Sequence, residues 1–404
     1  MPDRKSDNDM NETLIVDGFQ AAGVAAGLKK NGKKDLGLIF STVPAAAAGV
    51  FTRNRIQAAP VVLDRKRIES GTGRAIVVNS GNANCCTGEQ GMQNATAMTK
   101  AVAEGLDLPV EQVLVASTGV IGEQLPIQKI ETAVPVLLGA LKPEGLSDLA
   151  EAIMTTDTVS KAVAVKGRLG GKGFHLAGVA KGAGMIRPDM ATMLCFVISD
   201  VELPSAVMQT MLKAAVDRSF NRITVDGDMS TNDTVIFMAN GASGVAAETR
   251  EAHQVVQNML DDALLQLARR CVKDGEGATK LVEVRVNGAP CDADARSVAD
   301  TVANSSLVKT ALFGQDANWG RILAAAGRAG VPIDPARVDI YFDKVMMVKD
   351  GLGRGKSVEA QATAVLKKPE IVITIDLKMA RGSASVLTCD FSIDYVKINA
   401  DYRS

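Results

Sequence analysis

Short β-branched runs bounded by glycines alternate with longer segments in which apolar residues recur every three to four positions. That mixture narrows the possible folds more than any other feature of the chain. IVVNS (76–80), VLVAST (113–118), KAVAVKG (161–167), FHLAGVA (174–180) and TMLCFVIS (192–199) carry the strand pattern. QNATAMTKAVAEGL (93–106), PSAVMQTMLKAAVDRS (204–219) and QVVQNMLDDALLQLARRCV (254–272) repeat at about 3.6 residues, the period of a helix with one buried face. LVEVRV (281–286), RVDIYF (337–342), EIVITIDL (370–377) and ASVLTCDFS (384–392) add strands, with helices between them. No strict βαβ order repeats, so the expected fold class is α/β, with sheets and helices in layers rather than a barrel or one doubly wound sheet. Aromatics make up only 3% and glycines number 37, so the core must consist of Ala, Val, Leu, Ile and Met packed closely through small residues.

At 404 residues the chain is long enough for a large core, and its net charge of −1 gives no reason to expect nucleic acid or an anionic membrane as a partner. The opening MPDRKSDNDMNETLIVDGF is polar and lacks the apolar stretch of a secretory signal. No run approaches the roughly 18 apolar residues of a membrane span. A cytoplasmic location is expected. The cysteines at 85, 86, 195, 271, 291 and 389 include no Cys-x-x-Cys spacing. Reduced, mostly buried thiols follow in a reducing compartment, with adjacent Cys85 and Cys86 as the pair open to oxidation.

The segment KGAGMIRPDMATMLCFVISD (181–200) carries the chemistry. A threonine hydroxyl is a weak nucleophile and needs a base within hydrogen-bond reach. Cleavage between Ala191 and Thr192 would create one, because the released α-amine has an intrinsic pKa of roughly 7.7–8.0 and sits on the same residue as the hydroxyl. The plain alternative for Ala-Thr-Met-Leu is the start of a strand. Gly182, Gly184 and Pro188 make the approach to Thr192 conformationally special, as an acyl shift of a strained peptide requires.

Eight ordered motifs then carry a resemblance: GVFTRN (49–54), VVNSGNANCCTG (77–88), STGVIG (117–122), MTTDT (154–158), KGAGMIRPDMATML (181–194), SFNRITVDGDMSTNDT (219–234), DGEGATK (274–280) and NWGRILAAAGRAG (318–330). With the closing INADYRS (398–404), they make the chain resemble the glutamate N-acetyltransferase, or ornithine acetyltransferase, family of arginine biosynthesis. The resemblance implies an α/β sandwich similar to the N-terminal nucleophile hydrolases but with its own topology. It also implies an α chain of residues 1–191, a β chain of 192–404 beginning at Thr192, and pairing of two cleaved αβ units. A smaller C-terminal α/β domain is expected from about 281 to 404.

STGVIG follows the strand VLVAS, and as a bare motif it reads as a strand-ending turn. The resemblance assigns Thr118 and Gly119 to an oxyanion hole, where one donor is worth about 2.7–4 kcal/mol. Lys181 either holds a substrate carboxylate or tunes the amine by repulsion, with a solvated surface lysine as the plain reading. Thr155 and Thr156 either bond a substrate or cap a helix end, and the first is favoured. A C-terminal glycine cap accounts for Gly275 and leaves Glu276 free for an ammonium group. By resemblance, Thr155, Thr156, Lys181, Thr192, Glu276, Asn399 and Ser404 line the substrate site.

Other motifs fall short. Asp226, Asp228 and Asp233 lack the spacing and terminal Glu of a calcium loop, so a turn beside the active site and no metal are expected. GLGRGKS (351–357) has Asp350 where a phosphate loop needs its first glycine, so it reads as a hairpin or helix-entry turn. His175 and His253 have no serine in a Gly-x-Ser-x-Gly elbow to serve. The expected activity is transfer of acetyl from N-acetylornithine to glutamate by double displacement through acetyl-Thr192, with no cofactor and with acetyl-coenzyme A as a further donor in bifunctional members of the family. The rivals are an N-terminal nucleophile aminopeptidase or amidase, in which water is the acceptor, and a nucleotide-binding module built on GLGRGKS.

Overall fold

The central strands are apolar at consecutive positions, so the sheet they form must be covered on both faces. The computed structural model describes residues 14–30, 32–187 and 193–401. Its first sheet contains β1 (Phe19–Val24), β2 (Leu36–Phe51), β3 (Thr72–Asn82), β4 (Val113–Val120), β5 (Lys161–Leu169), β6 (Lys172–Lys181), β7 (Leu194–Ser199) and β8 (Thr234–Ala239). The spatial order is β4-β3-β2-β8-β7-β6-β5, with β1 also paired to β2. The β3–β4 and β7–β8 pairs are parallel.

Side chains alternate between the two faces, as the two-residue strand period requires. Cys195, Val197, Val235 and Phe237 pack in one cluster with the helices Ser205–Arg218 and Arg250–Lys273. Leu194, Phe196, Ile236 and Met238 point the other way, into a cluster shared with the helix Leu146–Ala152. At the β3–β4 end, Ala75, Val77, Val113 and Val115 pack beneath the helices Gly88–Leu106 and Ile127–Gly139.

The second sheet begins at Leu281. It comprises β9 (Leu281–Ala289), β10 (Asp339–Phe342), β11 (Val345–Lys349), β12 (Leu352–Gly353), β13 (Glu370–Asp376) and β14 (Gly382–Cys389), in the order β12-β11-β10-β13-β9-β14. It has its own core of Val282, Val284, Ile340, Ile373 and their neighbours. Leu281, Leu387 and Cys389 reach into the core of the first sheet, and Thr224 N–H donates to Leu387 C=O at 2.9 Å. The expectation of a layered α/β fold with a smaller C-terminal α/β unit therefore holds.

Each predicted strand or helix overlaps an observed one, with ends shifted by up to five residues in either direction. Strand β2 went unpredicted because its second half, PAAAAG, has little intrinsic strand preference. Pairing with β8 over Ala46–Phe51 holds it extended.

Gly275 is not the left-handed helix cap expected. The helix ends at Asp274 with φ −95°, and Gly275 instead keeps space beside Val272 C=O and Cys389 Sγ. GLGRGKS contains β12 and then the entry to the helix Lys356–Val365, with Gly355 at φ +87°. All six cysteines are free, and Cys86 and Cys291 are exposed. Among the described residues no helix is long and apolar enough to cross a membrane.

Candidate active site

The parallel strands β3 and β4 end together, and their last residues cross unusually closely. Asn82 is in register with both Thr118 and Val120, a bulge flanked by Gly81 at φ +105° and by Gly119, where the strands leave no room for a side chain. Gly119 has φ +134°, and a Cβ there would lie 2.3 Å from Gly81 C and 2.5 Å from Asn82 N. Asn232, just before β8, ties the two strand ends together. Its Nδ2 donates to Ala83 C=O at 2.6 Å and to Ser117 C=O at 2.8 Å.

A cavity of about 150 Å³ opens at this crossing. Thr118, Gly119, Thr155, Thr156, Lys181, Glu276 and Asn399 all line it, brought together from five separate parts of the chain. Thr155 and Thr156 both reach the wall. Ala191, Thr192 and Ser404 lie outside the described residues.

Lys181 ends β6 and is 2% exposed, so it is not a solvated surface lysine. Its Nζ donates to Thr118 Oγ1 at 3.2 Å. Burial pushes the ammonium below the usual lysine range, against the attraction of Asp157.

Glu276 also lines the cavity. Its N–H donates to Ala183 C=O at 2.8 Å, and Asn399 Nδ2 donates to its Oε2 at 2.8 Å. The second glycine of Lys-Gly-Ala-Gly exists for this carboxylate, since a Cβ on Gly184 would stand 2.4 Å from Glu276 Cδ.

Several members of the site were not singled out from the sequence. Asp157, the acid of MTTDT, accepts from Thr155 N–H at 3.0 Å, Gly182 N–H at 2.7 Å and Lys161 Nζ at 2.6 Å. Burial works to raise its pKa, but Lys181, Lys161 and these hydrogen bonds outweigh it and hold the carboxyl at about 2. Lys161 bonds on to Asp274 Oδ2 at 2.6 Å. The signal for Asp157 was present in Asp-x-x-x-Lys, but that spacing marks an acid–lysine pair only when the tertiary fold buries it.

The turn expected at Asp226 and Asp228 does border the cavity, and Tyr395 joins it from the C-terminal helix Ile393–Asp401. Asp226 accepts from Met185 N–H at 2.6 Å and Ile186 N–H at 2.8 Å, and burial pushes its carboxyl up to about 6. Asp233 is fully buried, and its Oδ1 accepts from Met193 N–H at 3.0 Å, one residue beyond Thr192. Burial raises the Asp233 carboxyl well above its ordinary range. His175 faces Asp200, with Nδ1 3.1 Å from Oδ2, and His253 Nε2 lies 3.0 Å from Ala247 C=O. Neither histidine borders the cavity.

The cavity thus offers hydroxyls and close backbone beside a buried cation, together with carboxylates. That arrangement suits a small zwitterion with a carbonyl that develops negative charge. A model of the ArgJ family matches residues 20–404. The arginine biosynthesis bifunctional protein ArgJ of Geobacter sulfurreducens is 53% identical over 393 residues, covering 97% of this chain and 100% of that protein. The protein of the same description from Desulfotalea psychrophila is 52% identical over 394 residues, with 97% and 100% covered. The structure of ornithine acetyltransferase complexed with ornithine from Mycobacterium tuberculosis is 38% identical, covers 44% of this chain and 94% of that one, and has a TM-score of 0.39.

Proposed function

This chain belongs to the ArgJ family, acetyltransferases of arginine biosynthesis, and we propose that it moves an acetyl group from N2-acetylornithine to glutamate through an ester on Thr192. The observation that carries this reading is the convergence of Thr118, Gly119, Thr155, Thr156, Lys181, Glu276 and Asn399 on one small cavity.

In the proposed sequence the chain first cuts itself between Ala191 and Thr192, giving an α chain of 1–191 and a β chain of 192–404. Thr192 Oγ1 then attacks the acetyl carbonyl while its own α-amine takes the hydroxyl proton. Thr118 and Gly119 hold the tetrahedral oxyanion. Collapse breaks the acetyl–nitrogen bond, and the proton on the Thr192 amine passes to ornithine as it leaves. Glutamate's amine next attacks the ester, and reversal of the same proton path frees Thr192 and N-acetylglutamate.

Glu276, held by Asn399, meets an ammonium group, and Lys181 with Thr155 or Thr156 meets a carboxylate. Ser404 belongs to the same substrate site. The C-terminal unit from about 281 to 404 contributes Asn399 and Ser404. Two cut units pair in a cytoplasmic enzyme that needs no metal or cofactor. The bifunctional description of the relatives extends the reading to acetyl-coenzyme A as a second donor, which is tested by acetylglutamate formation from that thioester and glutamate alone.

The decisive experiment combines mass and kinetics. Intact mass of denatured protein should show two chains, and Thr192→Ala should remain one inactive chain. With N-acetylornithine alone, acetyl should appear on the 192–404 chain, and initial rates with both substrates should give parallel double-reciprocal lines. Intersecting lines without an acetylated chain would replace this mechanism with direct transfer. Acetate released as fast without glutamate as acetylglutamate is formed with it would make the protein an amidase.

A further inference from the structure

A buried ammonium that donates to a hydroxyl determines where that hydroxyl's own hydrogen can go. An ammonium has only donors, so Thr118 Oγ1 accepts from Lys181 Nζ at 3.2 Å and must turn its hydrogen elsewhere. Thr118 is 4% exposed, and it borders the cavity in which the acetyl carbonyl is proposed to react.

Behind Lys181 runs a buried line of charge. Asp157 accepts from Gly182 N–H, the next residue, at 2.7 Å and from Lys161 Nζ at 2.6 Å, and Lys161 Nζ continues to Asp274 at 2.6 Å. A carboxylate braced in this way by a backbone donor and a lysine stays in place when the charge in the cavity changes. From this geometry we infer that Lys181 acts through Thr118 as the cation behind the oxyanion hole, beyond any contact with a substrate carboxylate, and that Asp157 is the positioning residue that keeps it there.

The consequence is a Thr118 hydroxyl that is already polarised towards the position of the developing oxyanion, in surroundings where a cation's field is only weakly screened. The groups facing the Lys181 ammonium are Asp157, Lys161, Cys271 and Asp233, and Lys29 also feels its charge. Asp157 favours the ammonium, whereas burial and Lys161 favour the neutral amine.

This inference rests on the acetyl transfer proposed above, and a double-mutant cycle separates the two. Acetylation of the wild-type 192–404 chain by N-acetylornithine tests the transfer reading by itself. Given that acetylation, Lys181→Met should lower kcat about 100-fold in the wild-type background, the loss of roughly one oxyanion donor. It should cost less than about threefold when Thr118 is already Val, because coupled residues are not additive. Equal losses in both backgrounds, or a rise in KM with kcat unchanged, would overturn the inference while leaving the acetyl transfer intact. If Lys181→Met remains uncut, Asp157→Asn decides. Removing that carboxylate leaves burial less opposed, so Lys181 should lose its proton at lower pH and the alkaline limb of kcat should move to lower pH. An alkaline limb at the wild-type position would refute the role of Asp157 and, with it, the charge relay.

Discussion

Asp157 braces the segments that bring Thr155 and Lys181 to the cavity, although it was not singled out from the sequence. It holds the backbone of Thr155 and of Gly182, and it shares a buried pair with Lys161. Its carboxyl titrates at about 2, below its ordinary value, because Lys181 and Lys161 outweigh burial. As pH falls, the unfolded chain therefore binds this proton before the fold does. The stability it contributes is complete above about pH 4 and is lost between there and about pH 2, and it amounts to roughly 2 kcal/mol. Asp157→Asn lacks that contribution, so the stability gap between wild type and variant in urea should narrow as pH falls through the window. A gap independent of pH would show that packing, not charge, makes Asp157 important. Nothing in MTTDT marks its acid as buried, which is why the two threonines drew notice from the sequence and their neighbour did not.

At the scale of elements, the β3–β4 crossing determines where the cavity forms. Both strands were legible as β-branched runs, but the bulge at Asn82 is a property of their register, which neither run contains. Gly119→Ala tests the crossing. The new Cβ would meet Gly81 backbone at 2.3 Å with φ at +134°, and backbone cannot yield as a side chain can. The expected loss is more than about 2 kcal/mol, measured by denaturant unfolding, together with loss of activity. Gly139→Ala serves as the contrast, since nothing lies within 4 Å of its added Cβ and it ends the helix Ile127–Gly139. That change should be neutral or stabilise by up to about 1 kcal/mol. Equal stability of the two variants would mean that the crossing is looser than its geometry.

The whole molecule is interleaved about the proposed cut. In the first sheet β2 lies beside β8 and β6 beside β7, so strands from before residue 191 pair on both flanks of those from after it. Asp274 also bonds Thr158 and Lys161 across the same divide, and Glu276 N–H bonds Ala183 C=O. The proposed cleavage would therefore break one peptide bond without opening the sheet. The two pieces should co-elute at native pH in size-exclusion chromatography and separate only in denaturant. Fragments that part without denaturant would require a different strand arrangement.

The sequence by itself determined the alternation of strands and helices, the small-residue core and most of the motifs that reach the cavity, because these are written in local periodicity and in ordered short segments. The glycines of Lys-Gly-Ala-Gly were read from the sequence as a special backbone leading to Thr192, and not as the space that Gly184 leaves for Glu276. The tertiary structure alone decided that Lys181 is buried against Thr118, that Asp157 and Asp274 bracket Lys161, and that Tyr395 and Asp226 share a wall with residues far away in the chain. Burial and pairing join segments that local sequence does not relate, such as Lys181 with Thr118, 63 residues away, and Lys161 with Asp274, 113 residues away, and it is desolvation and the nearest opposite charge, not residue type, that set the charge a buried group carries.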